Sequence, residues 1–233
     1  FFGHMSINPK DTIIAFSNIW ATYFIIRYLQ THHLAFKRKY FSTLIGITIG
    51  FGLGVRVIFL ATLLPIFILF FLDIFLLKII NNKKISFINF FKDFIKIFLI
   101  AYIIMIIFWP EVHSNILILP FKLIIASLTD VTYGTSWGLL DGEFYKTINT
   151  PRKYLIINLF YKLPEYVLLT YIFFILLFFY DHKFFENHFK FFNKKVLYIL
   201  FIIIFPLFAA SVAALKIHDG LRYFLFLIPY LSI

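Results

Sequence analysis

LIGITIGFGLGVRV, residues 44 to 57, holds four glycines, and three of them, Gly46, Gly50 and Gly54, recur every four residues. On a helix that spacing gathers the glycines on one flat face, where a second helix can approach closely. A phosphate-cradling glycine loop is the alternative for such a run, but no Walker lysine follows and no strand precedes it. The stretch therefore predicts close helix packing. It ends on Arg56, a cation between two apolar runs, which must either snorkel to water or be paired in a site.

The surroundings of this stretch set the class. Of the 233 residues 62% are hydrophobic and 35 are Phe, and the mean hydropathy is +0.92. A soluble domain runs near about 45–50% apolar, and one of this size has too little interior to hide the excess. The composition predicts an integral membrane protein. Apolar runs fall at 12–29, 43–55, 57–77, 95–109, 164–180, 196–214 and 223–233. Lipid admits only helices and closed barrels, and the period-2 alternation of a barrel is missing. The expected fold is all-α, a polytopic transmembrane helix bundle of about six to seven membrane segments. Run 43–55 is short for a span, and is expected to be tilted, buried among other helices, or joined to the next run around Arg56. In 79–96, Phe87, Phe90, Phe91 and Phe94 recur at helical spacing with Lys92 and Lys96 between them. That pattern predicts an amphipathic helix lying on the membrane surface.

Charge gives the orientation. Thirteen of the 22 basic residues, among them Lys37, Arg38, Lys39, Lys92 and Lys96, fall in segments on one side, with four acids. The other side carries the remaining nine bases and seven acids. Positive loops stay inside, so the first side is cytoplasmic. The outer side then holds residues 1–11, the neighbourhood of Arg56, a long loop over 110–163 expected to carry short interfacial helices, and the boundary 215–222. Trp109, Trp137 and Tyr154 are expected at the outer interface. The net charge of +11 is absorbed by this topology, and no soluble segment is large enough to fold around a basic patch, so no nucleic-acid partner is expected. Cysteine is absent, which excludes a disulfide framework and a thiolate metal site. The richness in Phe, Ile, Lys, Asn and Tyr fits an AT-rich bacterial genome. The chain opens on Phe1 and stops at Ile233 inside an apolar run, so both ends are expected to be cut, and 1–233 to be an internal part of one transmembrane domain.

Polar residues on the outer side are the candidates for chemistry. FFGHMSINPKDTIIAF, residues 1–16, gathers His4, Asn8, Lys10 and Asp11 at one boundary. Asp11 alone could cap its helix and complement the dipole, which leaves the others unexplained. The long loop carries Asp141 and Glu143, a pair that reads first as solvated, and then TPRKY over 150–154. LKIHDGLRYFLFLIPY, residues 215–230, places His218, Asp219 and Arg222 before a new apolar run. Arg222 could hold a phosphate through its planar fork, with Asp219 orienting it, or the cluster could be an interfacial anchor.

Together these segments resemble the GT-C superfamily of membrane glycosyltransferases, above all bacterial relatives of the family 39 protein O-mannosyltransferases and of the lipid A aminoarabinose transferase. GHMSINPKD at 3–11 is similar to the polar outer turn opening a middle helix there. GLGVRV resembles their glycine-rich run followed by a cation. FWP and DGEFYKTINTPRKYLIINLFYKLPEY resemble their long outer loop, and HDGLRYFLFLIPY their late arginine-bearing boundary. The resemblance implies transfer of a sugar from a polyprenyl-phosphate donor to a lipid, glycan or protein acceptor, at the outer face of a bacterial inner (plasma) membrane. It implies an acid in a first outer loop that activates the acceptor or holds a divalent metal; that loop is expected upstream of Phe1, so the fragment alone is expected to be inactive. Asp11 resembles a second acidic position of some members. Arg222, His218 and Arg56 take the donor phosphate, supported by Asp219, Asn8, Lys10 and Tyr154. The competing classes are a lipid-linked-sugar flippase or other transporter, which should show internal repeats and mid-helix charges, and a non-catalytic membrane assembly subunit.

The charge asymmetry yields a direct test. Cysteine placed at Ser136 should react with an impermeant thiol reagent added outside intact cells, and cysteine placed at Asn82 should not. The reverse pattern would invert the topology.

Overall fold

The computed structural model describes residues 9–57, 59–77, 86–129, 137–146, 149–181, 183, 187, 192–212 and 222–231. The chain is mostly helical and divides into two compact units, one of residues 1–130 with 225–233 and the other of residues 131–224.

In the first unit four helices alternate in direction. Helix α1 runs Pro9–Thr31, α2 Ala35–Val55, α3 Phe59–Leu72 and α4 Phe87–Phe108. Pro9 opens α1 where its missing N–H costs nothing, with Asp11 in the first turn. By length and composition α1 is apolar enough to cross a membrane. The link to α2 is only residues 32–34. Helix α2 is longer than its apolar run: Lys37, Arg38 and Lys39 belong to its first turn and extend it to 21 residues. The run 43–55 is thus the second part of a full-length helix. Likewise 87–96 is no separate surface helix. It continues without a break into the run 95–109 as the 22-residue α4, because nothing between Lys96 and Ile97 interrupts the helical backbone.

The glycine face of α2 meets α4. A Cβ on Gly46 would lie 2.9 Å from Ile100 Cβ, one on Gly50 2.5 Å from the Ala101 carbonyl oxygen, and one on Gly54 2.6 Å from Phe108 Cβ. Residue numbers rise together along both helices, so α2 and α4 are parallel. The packing expected of the stripe is what the structure has. Gly52 does a different job on the far face, where a Cβ would lie 2.6 Å from the Phe59 ring. That space lets the chain reverse sharply: Arg56 leaves the helix in an extended conformation, its N–H donating to the Gly52 carbonyl, and the Phe59 N–H returns to the Arg56 carbonyl at 3.1 Å. Helix α3 then runs parallel to α1, with Asn18 beside Thr62 and Tyr28 beside Phe70. It carries Pro65 in its interior and passes into a π-helical turn, Asp73–Leu77. After α4 come a 3-10 turn, Pro110–Ser114, and the short helix α5, Leu119–Thr129. At the other end of the chain a 3-10 helix, Arg222–Leu227, leads into the single turn α9, Ile228–Leu231, which packs on α1.

The second unit adds one short hairpin to an otherwise helical chain. The long loop holds an antiparallel hairpin, β1 Trp137–Leu140 with β2 Glu143–Lys146, in register Trp137 to Lys146 and Leu139 to Phe144. Asp141 and Gly142 form its two-residue turn, both at positive φ (56° and 83°), the conformation for which Asp-Gly is suited. The loop over 110–163 was expected to carry short helices, and it does, over Pro110–Ser114, Leu119–Thr129 and Tyr154–Lys162; the hairpin was not expected, and the Asp-Gly turn between alternating apolar residues is the signal that favours it over 137–146. Helices α6 (Tyr154–Lys162), α7 (Glu165–Tyr180) and α8 (Phe192–Val212) follow, with α6 against α8.

The glycine stripe predicts its own sensitivity. Gly50→Ala should lose about 1–3 kcal/mol, the usual cost of overpacking, read as a lower unfolding temperature in detergent. Gly142→Asn, at positive φ with no atom within 4 Å of an added Cβ, should leave the unfolding temperature nearly unchanged. Equal tolerance at both sites would contradict the close approach of α2 to α4.

Candidate functional site

The end of the first unit at which α1 begins and α2 ends brings two sequence candidates together. Arg56 Nη1 donates to Asp11 Oδ1 at 3.0 Å. The Asp11 side chain is 6% exposed and that of Arg56 29%. Of the alternatives for Arg56, simple snorkelling is therefore replaced by pairing, and Asp11 does more than complement its helix dipole. A buried carboxylate needs a partner, and the sharp reversal after Val55 delivers one. A guanidinium has more N–H donors than the one spent on Asp11, and the partial exposure of Arg56 leaves that group accessible. Lys10 is exposed one residue away. At the same end Glu111 accepts from Trp109 Nε1 at 3.3 Å, and His113 bonds the Ile106 carbonyl at 2.8 Å. Among the described residues no three His, Asp or Glu side chains converge as a metal site.

The other candidates lie elsewhere. Asn8, His218 and Asp219 fall outside the described residues, as does His4. Arg222 opens the 3-10 helix Arg222–Leu227. Tyr154 is not an exposed interfacial ring: it is buried, with the Tyr145 ring edge-on at 5.6 Å. It is covered because Gly138, across the hairpin from Tyr145, leaves the space in which the Tyr145 ring sits. Partial burial, with a hydrogen bond to Tyr154, pushes the Tyr145 phenol above its ordinary range. Trp137 is exposed, with Lys146 Nζ 5.6 Å from its ring centroid. Asp141 and Glu143 are both exposed, as solvated acids should be.

Two polar clusters were not read from the sequence. At the end where α2 and α4 begin, Asp93 is buried, accepts from Tyr28 Oη at 2.9 Å, and lies 3.0 Å from Arg38 Nε. The Arg38 Nε–H is directed off that line, so the contact is an ion pair rather than a hydrogen bond. Lys96 Nζ donates to the Lys39 carbonyl at 2.8 Å. Midway along α1, the Asn18 amide donates to Thr62 Oγ1 at 3.0 Å and accepts from Tyr230 Oη at 2.5 Å, and Tyr230 also bonds Thr22 at 2.6 Å. Asn18 and Thr22 inside an apolar run were the available signal: polar side chains within a lipid-depth helix face protein partners.

The ion pair makes a quantitative expectation. Arg56→Gln alone should cost about 3–5 kcal/mol, because it leaves the buried Asp11 carboxylate without its counter-ion, and Asp11→Asn should cost less, because the Arg56 it leaves behind is partly exposed. The double variant should cost clearly less than the sum of the two singles. Additive losses in chemical unfolding would show that the two side chains do not interact.

No protein-family model, no curated protein and no solved structure matches this chain.

Proposed function

We propose that this chain is part of a polytopic membrane glycosyltransferase of the GT-C kind, with about six to seven membrane segments. It would transfer a sugar from a polyprenyl phosphate to an acceptor at the outer face of a bacterial plasma membrane. One observation carries the reading. Asp11 and Arg56, each singled out as a site candidate on separate grounds, lie 3.0 Å apart at one end of the α1–α4 bundle. Among the described residues, the helix ends there carry Lys10 and Arg56 against Asp11 and Glu111, whereas the opposite ends collect Arg27, Lys37, Arg38, Lys39, Lys92 and Lys96 against Asp73 and Asp93. The asymmetry supports an outward-facing Asp11–Arg56 site by the positive-inside rule.

The chemistry follows from the charges. When the glycosidic bond to the lipid phosphate breaks, negative charge grows on the departing phosphate. An arginine already aimed by a carboxylate can meet that charge with N–H groups that need no reorganisation. Asp11 is a positioning residue in this scheme, since its carboxylate is committed to Arg56. Arg222 and His218 are proposed as further phosphate ligands from the resemblance, and Asn8, Asp219 and Tyr154 as supporting residues. The general base, and any divalent metal with it, is not assigned to a residue of this chain.

The test is transfer in vitro by the full-length protein, using a polyprenyl-phosphate sugar as donor. Arg56→Ala should lower transfer roughly ten- to a hundredfold, the loss of a charge-assisted contact of about 1.5–3 kcal/mol. Arg56→Lys should recover part of it, and Arg222→Ala should give a loss of similar size. Wild-type rates in folded Arg56→Ala and Arg222→Ala proteins would remove both from the donor site. Movement of the lipid-linked sugar across vesicles without any transfer would favour the transporter class.

A further inference from the structure

We infer that the end of the bundle where α2 and α4 begin binds the phosphate headgroup of an anionic phospholipid. The inference rests on the membrane reading of the chain and is independent of sugar transfer. The glycine stripe holds α2 and α4 parallel and in contact, so both start at the same level. Lys96 Nζ is fixed on the Lys39 carbonyl, which joins the two starts. Lys92 lies one turn nearer the end on the same stripe of α4 as Lys96. Lys37, Lys39 and Lys92 are exposed, while the two acids described at this end, Asp73 and Asp93, are buried, Asp93 against Arg38 and Tyr28. The lysines therefore face solvent or headgroups with no exposed carboxylate among the described residues at this end. Neither helix has an acid in its first turn, so the positive ends of both dipoles add to the same field.

Like charges gathered at one end repel, and an anion supplied from outside relieves that repulsion. The surface around the lysines says which anion. Phe36, Tyr40 and Phe91 are exposed beside them, which disfavours contact with bulk water and suits a layer where headgroup meets acyl chain. A phosphodiester at that level can accept from Lys92 while the acyl chains lie along the exposed apolar side chains of α4.

The test compares phosphatidylglycerol with phosphatidylcholine, added to the chain purified in detergent, with bound lipid counted by native mass spectrometry. Phosphatidylglycerol should bind more tightly. Lys92→Gln, at an exposed position, should weaken it roughly fivefold, and Lys92→Gln with Lys96→Gln by a similar factor again, with phosphatidylcholine unchanged. Lys122→Gln, the same charge loss at an exposed position on α5, should leave phosphatidylglycerol binding intact. Equal binding of the two lipids, or equal weakening by Lys122→Gln and Lys92→Gln, would overturn the site. So would displacement of phosphatidylglycerol by inorganic phosphate, which would make this a soluble-anion site. A chain that stays monodisperse without detergent would overturn the membrane reading itself, an outcome separate from equal lipid binding in a chain that needs detergent.

Discussion

Everything in the first unit depends on how closely α2 can approach α4. The atoms that Cβ groups on Gly46, Gly50 and Gly54 would strike are backbone oxygens, a Cα and the Cβ atoms of Ile100, Ile104 and Phe108. None of these can swing aside as a flexible side-chain end could. If the bundle lies in lipid, as proposed, joining two apolar helices brings no hydrophobic gain, and close contact with the dispersion it brings would hold them. Parallel α2 and α4 then require α1 and α3 to run the other way, and the four helices share two ends with different electrostatics.

A stripe with a four-residue repeat is degenerate in register: α4 could slide by one repeat and still meet glycines. The charges remove that freedom. A slip of four residues moves Asp93 about 6 Å along the axis, away from both Arg38 and Tyr28. The carboxylate would then be buried without a counter-ion, at a cost of about 3–5 kcal/mol. The Arg38–Asp93 pair contributes little net stability as a pair, since desolvation offsets attraction, but it penalises the wrong register strongly. At the other end Phe108 reaches the Gly54 space and stacks edge-on with Phe51 at 5.0 Å, which fixes the same alignment sterically.

Helical character and the glycine contact were legible in the sequence because each is periodic. Gly46, Gly50 and Gly54 announce a face whatever their partner is. The length of α2 was not legible from hydropathy, because Lys37, Arg38 and Lys39 read as loop although they are good helix formers. The same error split α4 at Lys96. Asp11 and Arg56 were each visible as an ion at a membrane boundary, but 45 positions separate them, and no local pattern says that they meet. Their pairing is created by the reversal at Gly52 and Phe59, a tertiary event. The hairpin over 137–146 was hidden for another reason: two four-residue strands carry too few alternations to stand out, and only Asp141-Gly142 marks them.

On the proposed readings, the two ends of the bundle would handle anions by different physics. At the lysine-rich end, among the described residues, six cations stand against two buried acids, and a net positive field acts over about a Debye length; a lysine and an arginine serve it almost equally well. At the Asp11–Arg56 end the formal charges of Lys10, Arg56, Asp11 and Glu111 cancel, so little long-range attraction draws in a phosphate. Whatever selectivity Arg56 has must come from the direction of its remaining N–H groups at hydrogen-bond range. A neighbouring carboxylate weakens the pull of the guanidinium on a second anion, but it also fixes the plane in which that anion must arrive. A site of this kind would hold a phosphate loosely in the ground state and gain most when the phosphate acquires charge in place. That gain is the difference between binding a donor and releasing its leaving group, and it makes the Asp11 carboxylate at Arg56 compatible with catalysis rather than an obstacle to it.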